Sequence, residues 1–228
     1  MSTVDELRQL RTTGRAFTMH GEPELCSLAP YDANRCIFVH VPRTGGFALA
    51  KSLFGNAGGS HIPMETYRAI FDQGDFESYF KFAFVRNPWD RLVSAYRFIK
   101  DGGGHVEHDL KMEAKIRPYD DFGDFVRSWL VPSGLKDGIH FLPQHTFITD
   151  EDGSIPLDFL GHFETLADDF RHVAEQLGSQ ASLQHLNASR RTDYKTYYDA
   201  ETVEIVAELY KKDIELLGYD FENTRFGH

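Results

Sequence analysis

Residues Cys36–Gly55 read CIFVHVPRTGGFALAKSLFG. An apolar run, Cys36–Val41, meets the turn Pro42-Arg43-Thr44-Gly45-Gly46 and then a second apolar stretch, Phe47–Leu53, that suits a helix. A continuous apolar run of this length fits a strand covered on both faces, as in a parallel sheet. A strand that ends in a glycine-marked turn before a helix aims backbone N–H groups and the Arg43 cation at one point, which suits a phosphate. The same arrangement also serves as an ordinary corner, so its meaning depends on the rest of the chain.

A second stretch has the same grammar: FKFAFVRNPWDRLVSAYRFIK, Phe80 to Lys100. The strand Phe80–Val85 ends at Arg86, Asn87 is placed to cap the next helix, Pro88 fits its first position and Asp90 its third. Arg86 stands at the carboxyl end of a strand, where ligands of open α/β sheets bind. Ser94, two helical turns further on, offers a hydroxyl to the same anion. Weaker strand signals fall at Thr146–Thr149 and Phe159–Phe163. Helices are expected at Trp89–Lys100, Phe122–Leu130, Leu166–Leu177 and Ala200–Leu217. The last carries Val203, Val206, Ala207, Tyr210, Ile214 and Leu217 as a core-facing stripe. Strands alternating with helices argue for an α/β domain with a mainly parallel sheet. Residues 1–34 lack periodicity and read as an arm with one short helix near Val4–Leu10, leaving 35–228 as a single domain.

Composition narrows the partners. The 228 residues carry 35 acidic and 24 basic side chains, a net charge of −11. That balance disfavours nucleic acid and anionic membranes, so any anion site is a local one built from a few arginines and backbone dipoles. No apolar run approaches bilayer length, and MSTVDELRQLRTTGRAF has no apolar signal region, so the expectation is a cytoplasmic chain with no transmembrane segment. Cys26 and Cys36 make no disulfide framework and read as reduced thiols. His105 and His108, in DGGGHVEHD, have the spacing of a metal pair but lack further ligands, and no metal is expected.

The ordered pair of junctions resembles the PAPS-dependent sulfotransferases, most closely the branch of the carbohydrate sulfotransferases and their bacterial relatives. The likeness continues through LPQHTFI, FLGHFETL, NASRRTDYKTYY and LLGYDF, over about residues 36–221. It implies a three-layer, P-loop-type sulfotransferase fold. It also implies 3′-phosphoadenosine 5′-phosphosulfate (PAPS) as donor, with PAP as product. The 5′-phosphosulfate would meet Arg43, Thr44, Gly45, Gly46, Phe47 and Ala48, and the 3′-phosphate Arg86 and Ser94. A late basic loop adds Ser189 and Arg190, with Arg191 beside them, and Tyr194, Tyr197 and Tyr198 lie near enough in sequence to pack on adenine or in the core. The chain departs from the family where Arg43 replaces the usual lysine and where Phe47 and Ala48 replace hydroxyl residues. Arginine keeps the charge but is not interchangeable with lysine.

Sulfuryl transfer by in-line displacement needs a base for the acceptor's proton and a donor for charge on the bridging oxygen; Arg43 fits the second role. His61, in GGSHIPMETY, falls between the two junctions, where the family's catalytic histidine falls when one is used, and imidazole suits a base. Glu65, one turn later, is the alternative base or its orienting partner, and His40 reads as a core histidine. The acceptor expected is a hydroxyl compound, a carbohydrate or glycolipid, with residues 99–145 building much of its pocket. Two other classes compete: an ATP- and magnesium-dependent kinase or NTPase, against which stands the absent Gly-x-x-x-x-Gly-Lys-(Ser/Thr) pattern, and a catalytically idle nucleotide-binding protein, suggested by Phe47 and Ala48.

Overall fold

Three parallel strands, β1 (Cys36–Val39), β2 (Phe80–Val85) and β3 (Phe159–His162), form one sheet in the order β1-β2-β3 in the computed structural model. The structure describes residues 3–19, 25–131, 134–183 and 193–226. Cys36 pairs with Phe80 and Val39 with Ala83 on one side of β2; Phe82 pairs with Phe159 and Val85 with His162 on the other. All of β1, and β2 from Lys81 onward, is buried, as their largely apolar runs require, and the one charge in β2, Lys81, donates its Nζ to the carbonyls of Phe76 and Tyr79. β1 stops two residues short of the expected Val41, because the chain leaves the ladder at His40 to enter the turn. Phe38 and Phe82 stack across the sheet with ring centroids 5.0 Å apart. Gly161 lies opposite Phe84 because a Cβ there would sit 2.6 Å from its ring.

The chain divides into two compact units, Met1–Val85 with Thr146–Leu186 and Arg86–His145 with Asn187–His228. The sheet belongs to the first. Its N-terminal residues are held by more than the single helix expected. Helix Val4–Thr13 begins with a reciprocal Thr3–Glu6 capping box, and a second helix, Ala29–Ala33, carries Pro30 in its first turn. Arg11 forks onto Asp32, pairs with Asp75 and lies 3.9 Å over the ring of Phe71. Between β1 and β2 come helices Gly46–Phe54, Met64–Ile70 and Gln73–Ser78.

The second unit is helical. Asn87 accepts from the N–H groups of Trp89 (3.0 Å) and Asp90 (3.4 Å), starting helix Pro88–Lys100 as its sequence predicts. Its buried face packs with Phe125, Trp129, Phe141, Val206 and Tyr210 in one aromatic-rich core. Tyr194, Tyr197 and Tyr198 pack against that core, and Tyr198 donates to the carbonyl of Trp89 at 2.9 Å. Three sequence expectations change. The helix expected over Phe122–Leu130 widens into a π-helix at Phe125–Leu130. Ala200–Leu217 is two helices, Ala200–Leu209 and Lys211–Leu217, broken at Tyr210, whose hydroxyl donates to the carbonyl of Phe141 at 2.7 Å. Thr146–Thr149 forms no strand: residues His145–Ile148 make a helical turn, with the N–H of His145 donating to Asp213 at 2.9 Å. Among the described residues no helix is long and apolar enough to cross a membrane.

Asp109 is buried in the second unit and accepts from the N–H of Gly104 at 2.8 Å, with His140 Nε2 at 3.2 Å and His108 Nδ1 at 3.3 Å. Burial pushes its carboxyl up, but these donors outweigh burial and hold it at about 2. A depressed carboxyl contributes stability above its unfolded value, lost as pH falls through the folded one. Asp109→Asn is therefore expected to be less stable than wild type at pH 7 and to lose less stability between about pH 4 and 2, read by thermal melting across that range. Parallel pH curves for the two proteins would contradict this pairing.

Candidate functional site

After β1 the chain turns through residues in left-handed backbone, Arg43 at φ +70° and Gly45 at φ +84°. A non-glycine residue with positive φ is uncommon, and it is held here by the buried Thr44, whose hydroxyl donates to the carbonyl of Val41 at 2.9 Å. Gly45 then starts helix Gly46–Phe54 with no side chain capping it. The first-turn N–H groups of a helix lack intrahelical acceptors and carry a positive partial charge. Arg43 and Ala48 are half-buried, whereas Phe47 is 44% exposed, with Lys51 Nζ 5.7 Å from the centre of its ring.

Gly46 is dictated by His40. A Cβ at Gly46 would lie 1.9 Å from Cδ2 of that ring, so only glycine lets the helix start against it. The His40 ring stacks on Phe38 (centroids 5.7 Å apart) and meets the ring of His61 at 4.3 Å. His61 is buried, with Nδ1 3.0 Å from the backbone carbonyl of His40. A carbonyl is only an acceptor, so Nδ1 carries the hydrogen and, in the neutral ring, Nε2 carries the lone pair. That is the tautomer a general base requires.

The loop bearing His61 is itself pinned to β1. Tyr31, from helix Ala29–Ala33, donates its hydroxyl to the carbonyl of Phe38 and accepts from the N–H of Gly59, both at 3.0 Å. The N–H of Ser27 donates to the carbonyl of Gly58 at 2.9 Å. Sequence reasoning missed this use of the N-terminal residues, because one tyrosine in an aperiodic stretch carries no signal. Cys36 lies in the same core, where burial pushes its thiol up to about 12, a poor nucleophile at neutral pH. Glu65 is exposed in the first turn of helix Met64–Ile70.

In the second unit Arg86 is buried, and its Nε and Nη2 fork onto the carboxylate of Asp90, each at 2.7 Å. Asp90 occupies the i+4 position on the same run, a spacing visible in the sequence. Gln144 pairs with the Arg86 backbone, a contact no sequence pattern announced. Ser94 is half-buried on helix Pro88–Lys100. His105 and His108 are exposed, and among the described residues no group of three or more His, Cys, Asp or Glu is arranged to hold a metal. Ser189, Arg190 and Arg191 lie outside the described residues.

Comparison with known proteins bears on this arrangement. A family model described as the sulfotransferase family matches residues 56–220. Over 171 residues the chain is 29% identical to carbohydrate sulfotransferase 14 of Danio rerio, covering 64% of this chain and 45% of that one. It is 29% identical over 173 residues to carbohydrate sulfotransferase 11 of Mus musculus, covering 64% and 49%. An uncharacterized protein of Archaeoglobus fulgidus is 28% identical over 121 residues, 53% of this chain and 86% of its own. The chain spans about half the length of the carbohydrate sulfotransferases it matches. No solved structure matches it with significance.

The contact of His40 with Gly46 has a direct consequence. Gly46→Ala forces a buried ring to move between Phe38 and His61, an overpacking expected to cost about 1–3 kcal/mol and to lower the melting temperature by several degrees. Unchanged melting would show that the ring does not sit against the start of the helix.

Proposed function

The chain belongs to the sulfotransferase family, and from that premise we propose that it moves the sulfuryl group of PAPS to a hydroxyl acceptor, a carbohydrate or glycolipid. One observation carries the donor assignment: an arginine in left-handed backbone, followed by a helix that no side chain caps, at the carboxyl end of β1. Uncapped N–H groups beside a cation are the donor set that a phosphosulfate needs, and they need no carboxylate. The sugar acceptor is supported by the relatives, two of which are named carbohydrate sulfotransferases.

PAPS, when bound, supplies an activated sulfuryl group on a good leaving nucleotide. In this reading the backbone at Thr44, Gly45, Gly46, Phe47 and Ala48 holds the 5′-phosphosulfate, and the Arg43 guanidinium neutralises charge on the bridging oxygen. Because Phe47 and Ala48 bring no hydroxyl, backbone N–H groups and Arg43 carry the whole of that contact. Arg86 and Ser94 take the 3′-phosphate, joined by Ser189 and Arg190 of the late basic loop. His61 receives the acceptor's hydroxyl proton at Nε2, its Nδ1–H being held by the carbonyl of His40. No metal enters this scheme, and the chain works as a cytoplasmic enzyme organised as one sulfotransferase domain over 35–228 behind the N-terminal residues.

Incubation with ³⁵S-labelled PAPS and a panel of sugars, glycolipids and phenols tests the activity; label is expected on a hydroxyl-bearing acceptor without added metal. His61→Ala should lower turnover roughly 10²–10⁴-fold while PAP affinity stays within about threefold of wild type. A folded His61→Ala protein that keeps most of its turnover would remove His61 from the role and bring Glu65 forward.

A further inference from the structure

Arg86 is the first residue beyond the ladder of β2, whose last pair is Val85 with His162. Its main-chain groups are nevertheless both paired. The N–H of Arg86 donates to Oε1 of Gln144 at 2.9 Å, and Nε2 of Gln144 donates to the carbonyl of Arg86 at 2.7 Å. One side-chain amide thus does for Arg86 what a neighbouring strand does for the residues before it.

Gln144 is fully buried and is itself anchored. Its own N–H donates to Oδ2 of Asp213 at 2.6 Å. Asp213, also fully buried, accepts from the N–H of His145 at 2.9 Å and faces its Nδ1 at 2.6 Å. At the far end of the arginine, Asp90 grips Nε and Nη2. Backbone and guanidinium of one residue are therefore fixed independently, by Gln144 and by Asp90. A planar guanidinium recognises an anion only in a defined orientation, so the direction of this side chain depends on where its own peptide is held.

We infer that Gln144, seated by Asp213, is a positioning residue that aims Arg86 at the 3′-phosphate and so sets the preference for a 3′-phosphorylated nucleotide. The inference rests on the assignment of Arg86 in the proposed function. A glutamine that served packing alone would affect every nucleotide equally when replaced. One that aims Arg86 changes only the ligands that carry the 3′-phosphate, because 5′-AMP makes no use of that arginine.

The test measures dissociation constants for PAP and for 5′-AMP by calorimetry, with folding checked by circular dichroism. Wild type should prefer PAP by about 10- to 100-fold, and Arg86→Ala should abolish the preference. Gln144→Met, similar in length and unable to hydrogen-bond both groups, should reduce the preference about tenfold, with 5′-AMP affinity within about twofold of wild type. Gln144→Glu keeps the acceptor for the Arg86 N–H and should retain more of the preference; it also serves if Gln144→Met does not fold. Asp213→Asn should move the ratio in the same direction. A ratio unchanged in folded Gln144 variants, with Arg86→Ala behaving as expected, overturns the role of Gln144 alone. A wild type that does not prefer PAP, or an Arg86→Ala protein that still does, overturns the assignment of Arg86 and this inference with it.

Discussion

Strand β2 is hydrogen-bonded along both edges, and from Lys81 onward its residues are buried. A strand held on two sides cannot slip by one residue without turning each buried side chain to the opposite face, so its register is fixed by packing rather than by local preference. That constraint fixes where the ladder stops, at Val85, and therefore which residue the chain presents next: Arg86. β1 obeys the same rule at the other junction. It leaves the ladder at His40, and the residues that follow, Pro42 to Gly46, have to turn within a space bounded by the His40 ring. The positions of the candidate anion-binding groups are thus consequences of where two buried strands end.

The chemistry proposed for the first unit depends on backbone as much as on side chains. His61 is oriented by a main-chain carbonyl at the end of β1, and its loop is held by the hydroxyl of Tyr31 bridging Phe38 and Gly59. A base whose tautomer is set by a main-chain carbonyl has its geometry built into the fold, which limits how far the ring reorganises during proton transfer. Arg43, Phe47 and Ala48 fit the same pattern. In the proposed donor site, a left-handed turn and helix N–H groups stand where the family resemblance would lead one to expect hydroxyl side chains.

Much of this was legible in the sequence because the informative signals are short-range. The apolar runs of β1 and β2, the Asn87-Pro88 start of helix Pro88–Lys100, and Gly45 before a helix are local rules, and the structure follows them. What escaped was settled by distant partners. Thr146–Thr149 contains β-branched and aromatic residues that favour a strand, yet Asp213, 68 residues from His145, accepts its N–H as a helical turn begins. The continuous stripe over Ala200–Leu217 gave no sign of the break at Tyr210, whose hydroxyl reaches Phe141. Gln144 and Tyr31 each act through a pair of hydrogen bonds to backbone groups, Gln144 on Arg86 and Tyr31 on Phe38 and Gly59, and neither pairing has a periodic signature.

The central claim of the proposed function is that the chain binds a 3′,5′-bisphosphorylated nucleotide through arginines and backbone dipoles, without a metal. Calorimetric titration of the wild-type chain with PAP in the presence of EDTA, beside ATP with Mg²⁺, tests it most directly. The account predicts saturable PAP binding at one site, tighter than about 1 mM and unchanged by EDTA, with ATP binding no tighter when Mg²⁺ is added. ATP binding that requires Mg²⁺, together with no detectable PAP binding at millimolar concentration, would contradict it.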